Sequence, residues 1–236
     1  MPVGVTVNCL AVLTGGILGG WLGRYIPIKT TERMMGVLGL CSFSIGVLNL
    51  MKVESAPPVI LAVLLGYFLG DLADLEKRIA WIFGKIFKKV PVGKSGLDMD
   101  AFVMAVVLFC ASGFGIFGVL TEGLSGDSSV LLSKSFLDFF TALIFAVTMG
   151  MVIGLIAVPQ YLIFLLLFVA ARAVGGYLAQ EEITAFVACG GILTMAAGLR
   201  VAQIKYIAIG NMVPALIDLG DTIVILVEKF RLLGEF

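Results

Sequence analysis

The chain has 236 residues, of which 60% are hydrophobic and 14% charged, with a mean hydropathy of +1.12. A soluble domain averages roughly 45–50% apolar and about 25% charged, so both departures exclude an ordinary globular protein and point to the bilayer. Sixteen basic residues balance sixteen acidic ones, which indicates no nucleic-acid partner, and the lack of histidine removes the commonest metal ligand and proton shuttle.

A spanning helix needs about 20 mostly apolar residues. The expected fold is therefore an all-α polytopic membrane protein of seven or eight transmembrane helices, one transmembrane domain over 1–236. Apolar runs bounded by charge or proline fall at 4–23, 34–50, 56–70, 101–120, 137–157, 160–178, 183–199 and 206–227. The first follows the N-terminus without the basic region and small-residue cleavage site of a signal peptide, so it is expected to stay attached. Gly15, Gly19 and Gly23 stand four apart in it, as do Gly66 and Gly70 in the third. Such spacing lets helix backbones approach closely. It makes the first helix either central or part of a subunit interface in a homo-oligomer. The third run is short, and the last carries Asp218 and Asp221.

Two polar stretches interrupt the pattern. Within 71–100, Leu75, Ile79, Ile82, Phe83, Ile86 and Phe87 recur at helical spacing among lysines and Arg78. That suits an amphipathic helix, lying on an anionic membrane face or packed on the protein itself. Within 121–137, Ser128 or Ser129 is placed to cap a helix start that favours an anion, while Asp127 and the hydroxyls suit a cation. An ordinary outer loop and a re-entrant hairpin both fit.

Catalytic motifs are incomplete. Gly93-Lys94-Ser95 lacks the earlier glycine of a phosphate-binding loop, where Lys88 stands, and Gly123-Leu124-Ser125-Gly126-Asp127 ends in aspartate rather than the glycine of a nucleophile elbow. Cys9, Cys41, Cys110 and Cys189 sit in separate apolar runs without Cys-x-x-Cys spacing and read as small apolar side chains. No enzyme activity, cofactor or metal is expected.

Orientation follows the Lys/Arg distribution. With the first helix running inward, the inner side receives Arg24, Lys29, Arg33, the lysines and Arg78 between 77 and 94, Arg200 and Lys205, and the outer side Lys52, Lys134, Lys229 and Arg231. Both termini are placed outside. An internal repeat is also visible. Gly19-Gly20-Trp21-Leu22-Gly23 matches Gly175-Gly176-Tyr177-Leu178-Ala179, Gly39 and Gly46 match Gly191 and Gly198, and Asp71-Leu72-Ala73-Asp74 matches Asp218-Leu219-Gly220-Asp221. Repeat one (about 4–90) and repeat two (about 160–236) flank central helices (about 101–157). Five crossings between their starts make the copies antiparallel, helices one to three against six to eight, as in secondary transporters with a site at the repeat interface.

Polar groups within apolar runs are the pathway candidates. Arg172 is the sharpest intramembrane charge, either functional or snorkelling outward, with Asp138 as its partner. Asn8, Ser42, Ser44, Thr148, Thr194 and Asn211 add hydrogen-bonding groups. The expected function is a channel or secondary transporter for a small solute or ion. The alternative is a non-transporting scaffold, sensor or lipid organiser whose polar groups merely pair helix to helix.

Several segments resemble a known family. They are Val5-Thr6-Val7-Asn8 through Gly15-Gly16-Ile17-Leu18-Gly19, Asp71 to Glu76, Glu122-Gly123-Leu124-Ser125-Gly126-Asp127 with Leu131 to Asp138, and Gly210 to Leu216. In these the chain is similar to the YdfK/YqgA-like bacterial membrane proteins, domain-of-unknown-function family 554. The resemblance implies a prokaryotic inner-membrane protein of several helices and carries over no catalytic or binding residue.

Overall fold

In hydrocarbon every backbone amide must find its partner within the protein, which leaves helices as the way to cross. A computed structural model describes residues 1–53, 55–87, 99–110, 112–174 and 180–217, and among them there is no strand. The helices are α1 (Val3–Leu22), α2 (Ile28–Leu50), α3 (Ala56–Leu72), α4 (Leu75–Phe87), α5 (Met99–Cys110), α6 (Gly113–Ser125), α7 (Ser129–Met149), α8 (Ala157–Val174), α9 (Gln180–Val201) and the short α10 (Pro214–Ile217). Among the described residues six stretches are long and apolar enough to span a membrane. A seventh arises if α3 and the first part of α4, bent by 57°, count as one. The last apolar run accounts for the difference from eight, because its described part is a 3-10 turn, Ile209–Met212, followed by α10. Asp218 and Asp221 lie outside the described residues.

Two apolar runs are subdivided. The run 101–120 gives α5 and α6, and Ser112 caps α6 by accepting the Gly115 amide on its hydroxyl at 3.0 Å. The run 137–157 belongs to α7, which begins earlier, at Ser129, and to a 3-10 turn, Met151–Ile156, leading into α8. Gly150 joins them at φ 81°, a conformation that favours glycine. Between α6 and α7 there is no long loop. Gly126 turns the chain at φ 78°, and the Asp127 carboxylate accepts the Ser129 amide at 2.9 Å and its hydroxyl, so α7 starts at once.

α1 packs its glycine-rich side against the rest of the bundle and leaves Leu10, Ile17 and Trp21 exposed on the other. A side chain at Gly15 or Gly19 would collide with the backbone carbonyls of Phe139 or Leu143 on α7, while Gly16 and Gly20 press on Gly154 and Met151. Both glycine faces are thus filled from within the chain. Gly66 and Gly70 of α3 likewise admit the backbone of Ala215 and Asn211. α2 and α9 run antiparallel through a second close approach, with Gly39 against Gly198 and Gly46 against Gly191. At one end of the bundle the start of α2, the end of α3 and the end of α9 come together, bringing Arg33 and Arg200 to one side. The start of α1, the end of α6 and the start of α7 share the opposite end.

Candidate functional site

The most heavily shielded polar cluster lies where α1, α5, α7 and α8 meet. Asn8 and Gln160 have no exposed surface, Lys134 is 2% exposed and Asp138 8%. Lys134 and Asp138 are one helical turn apart on α7, and their side chains form an ion pair. Asn8 Nδ2 donates to Asp138 Oδ2 at 2.9 Å. Gln160 Nε2 donates to Asn8 Oδ1 at 2.8 Å and to the Phe109 carbonyl at 3.3 Å. The amide orientations follow from this chain: the carboxylate needs a donor from Asn8, which turns the Asn8 oxygen toward Gln160. With both its hydrogens used, Gln160 leaves Oε1 buried and without a partner. At 1.5 Å per residue, Asp138 stands about 14 Å along α7 and its partner Asn8 about 8 Å along α1, so the cluster lies inside a hydrocarbon core about 30 Å thick. A charge pair in such a place costs several kcal/mol of desolvation per ion, and an orphaned acceptor adds to that cost. The cluster is expensive, and stability alone does not explain it.

The α5–α6 break lies beside it. Gly115, in the first turn of α6, packs against the Lys134 side chain, since an added Cβ would come within 3.2 Å of Lys134 Cε. Ser112, its cap, also lines a cavity of about 30 Å³ that reaches Glu76, Arg200 and Gly210. That volume holds one or two waters.

Around this cavity a second polar cluster closes the basic end. Glu76 Oε1 accepts from Arg200 at 2.9 Å and from the Tyr206 hydroxyl, and Oε2 accepts the Gly210 amide at 2.9 Å. Asn211 takes the Glu76 amide on Oδ1 at 2.8 Å and donates from Nδ2 to Asp71 at 3.0 Å. Burial and the Glu76 carboxylate hold the Tyr206 phenol above its ordinary range. At the opposite end Glu122 is buried and accepts the Gly4 and Val5 amides at 2.7 and 3.1 Å, capping the start of α1 with a negative charge where the helix dipole favours one.

Over residues 3–221 the sequence matches the family described as Protein of unknown function (DUF554). The chain belongs to that family. It is 40% identical to Uncharacterized protein YqgA of Escherichia coli (strain K12), over 92% of this chain and 94% of that one. It is 26% identical to Uncharacterized membrane protein YdfK of Bacillus subtilis (strain 168), over 97% and 98%. No solved structure matches.

The sequence candidates divide sharply in this DUF554 chain. Asn8 and Asp138 belong to the central cluster and Asn211 to the basic-end one. Ser42 and Thr194 are buried at the α2–α9 crossing, where the Ser42 hydroxyl donates to the Thr194 carbonyl at 3.2 Å. Ser44 and Thr148 are exposed on the bundle's outside and donate to carbonyls of their own helices, Leu40 and Phe145. Asp127 is exposed in the α6–α7 turn, where the Ser129 hydroxyl and amide hold its carboxyl below the usual range. Arg172 is a correction. It is exposed in the last turn of α8, and the partners of Asp138 are Lys134 and Asn8. Lys134, Gln160, Ser112, Glu76 and Arg200 were absent from the candidate pathway. Among the described residues no group of three or more Cys, Asp or Glu side chains is placed to hold a metal ion.

Proposed function

We propose that this membrane protein is a secondary transporter or channel for a small solute or ion, with the Asn8–Lys134–Asp138–Gln160 cluster as its central site. The observation that carries this reading is the buried ion pair beside an unpartnered Gln160 oxygen, within the spanning bundle and next to a broken helix. Half-helix ends in the bilayer interior are tolerated where they line a cavity, and transporters use them to meet ligands. The Lys134–Asp138 pair balances its own charge and offers one group to an anion and one to a cation.

The α2–α9 crossing supports an inverted repeat. Ser42 and Thr194 are separated by 152 residues, and so are Asn8 and Gln160. The same step carries Gly39 to Gly191 and Gly46 to Gly198, so it turns the contact of Gly39 with Gly198 into that of Gly191 with Gly46. Contacts that exchange in this way are what a two-fold axis in the membrane plane produces. On this reading the basic end, with Arg33 and Arg200, faces the cytoplasm and the N-terminus lies outside. The Glu76–Arg200 cluster closes the inner mouth.

Flux into proteoliposomes tests the proposal, with gradients of sodium, potassium, chloride, protons and glycine measured against protein-free vesicles. We expect at least one gradient to dissipate faster with protein present, and Asp138→Asn to remove the difference. Vesicles indistinguishable from protein-free ones for every probe would favour the scaffold alternative.

A further inference from the structure

α3 turns apolar side chains outward, with Leu64 62% and Phe68 60% exposed, as a lipid-facing helix does. It ends at Leu72, and α4 departs at 57° after Asp74, which adopts φ 49°. Asp71, Asp74, Lys77 and Arg78 follow one another across this bend, which places it at the membrane boundary, because charges there avoid hydrocarbon. α4 then has two unlike faces. Glu76 points inward to Arg200 and Gly210. Lys77, Arg78, Trp81, Ile82 and Lys85 are all exposed. Positions 77, 81 and 85 form one stripe and 78 and 82 the next, so cations and large apolar groups share one surface.

That mixture suits neither extreme. A face in water gains nothing from presenting Trp81 and Ile82, and a face in hydrocarbon does not carry three cations. At headgroup depth both are satisfied, with rings and alkyl groups toward the acyl chains and ammonium and guanidinium groups toward phosphates. Lys77 is engaged by Asp74 at 2.8 Å. Arg78 and Lys85 flank Trp81, and the Lys85 ammonium stands 4.9 Å from the Trp81 ring centre.

We propose that the outward face of α4 binds the phosphate headgroup of an anionic phospholipid through Arg78 and Lys85, with Trp81 and Ile82 seated against its acyl chains. The occupant is lipid because α3 delivers α4 to the bilayer surface, and it is anionic because the face offers cations beyond the one Asp74 neutralises. Lipid bound there also holds α4 down over the Glu76 cluster. This inference depends on the membrane location alone and not on what the protein transports.

Trp21 and Trp81 are the chain's two tryptophans, so Trp21→Phe leaves Trp81 as a reporter of its lipid neighbours. The protein is reconstituted in phosphatidylcholine containing a small, equal fraction of brominated phosphatidylglycerol or brominated phosphatidylcholine. At about 1 kcal/mol per basic side chain near the surface, Arg78 and Lys85 together should let brominated phosphatidylglycerol quench Trp81 at an about thirtyfold lower fraction. Raising the salt should shrink that preference. Arg78→Gln with Lys85→Gln should abolish it while leaving quenching by brominated phosphatidylcholine in place. Equal quenching by both lipids in the Trp21→Phe protein would overturn the proposal. So would no quenching by either, or a preference that survives high salt or the double substitution. The salt arm decides the matter should the double variant fail to fold.

Discussion

The Lys134 ammonium and the Asp138 carboxylate face each other one turn apart on α7, both almost wholly shielded. Removing one partner of such a pair strands a charge, whereas removing both does not. Lys134→Met alone is expected to cost about 3–5 kcal/mol, read as a fall in the unfolding midpoint in detergent. Adding Asp138→Asn, which keeps an acceptor for Asn8, should restore much of that loss. Strictly additive effects would show that the two side chains do not interact.

Glu122 makes a separate prediction at the start of α1. Glu122→Ala leaves two shielded amides, Gly4 and Val5, without acceptors, at an expected cost of about 1–3 kcal/mol. Glu122→Gln retains an acceptor and should cost less. Amide hydrogen exchange supplies the direct check. Exchange at positions 4 and 5 should accelerate in the alanine variant, and unchanged protection there would refute the cap.

The glycines of α1 should tolerate almost nothing. A Cβ at Gly19 would collide with the Leu143 carbonyl oxygen, so Gly19→Leu must drive α1 and α7 apart. At Gly36 on α2 an added Cβ would meet nothing within 4 Å, and Gly36→Ala should be neutral or stabilise by up to about 1 kcal/mol. Yield of monodisperse protein and unfolding temperature distinguish the two. Equal behaviour of both variants would contradict the packing.

A pH effect is expected at the α6–α7 turn. Hydrogen bonds from Ser129 hold the Asp127 carboxyl below its ordinary range. A depressed folded-state value contributes stability that is present above the unfolded value and lost as pH falls through the folded one. Wild-type protein should therefore keep this turn intact at neutral pH and lose its contribution only on acidification below the usual carboxylate range. Asp127→Asn should flatten that acid limb. An identical acid limb in wild type and variant would show that the hydrogen bonds do not favour the charged form.

What could be read from the sequence was whatever leaves a mark on spacing or composition. The four-residue glycine stripe of α1 was legible because close approach of backbones requires it at each turn. Asn8 and Asp138 stood out as polar groups in apolar runs. Lys134 did not, because a helix taken to start at 137 left it among outer charges, and only the turn chemistry of Gly126 and Asp127 moves that start to Ser129. Gln160 follows Pro159 at what looked like a helix edge, and the 3-10 turn before α8 is what carries it into the core. The α5–α6 break hides in continuous hydrophobicity, with Ser112-Gly113 as its faint signal. Arg172 drew attention as a charge, yet its place in the last turn of α8 lets it reach the surface.

A transport site at the Lys134–Asp138 cluster requires water and solute to reach the interior of this bundle, and thiol accessibility reports that entry. In a chain whose four native cysteines are replaced, single cysteines at Ser112, on the cavity wall, and at Ser135, buried on α7 next to Lys134 in sequence, are exposed to methanethiosulfonate ethylammonium in sealed vesicles of each orientation. A transport pathway predicts modification at 112 from the basic end and at 135 from the opposite end, each slowed when the other mouth is held open. Two sites that stay unmodified from both sides, in protein that labels normally at an exposed control position such as Ser129, would contradict it and leave the cluster as dry interhelical glue.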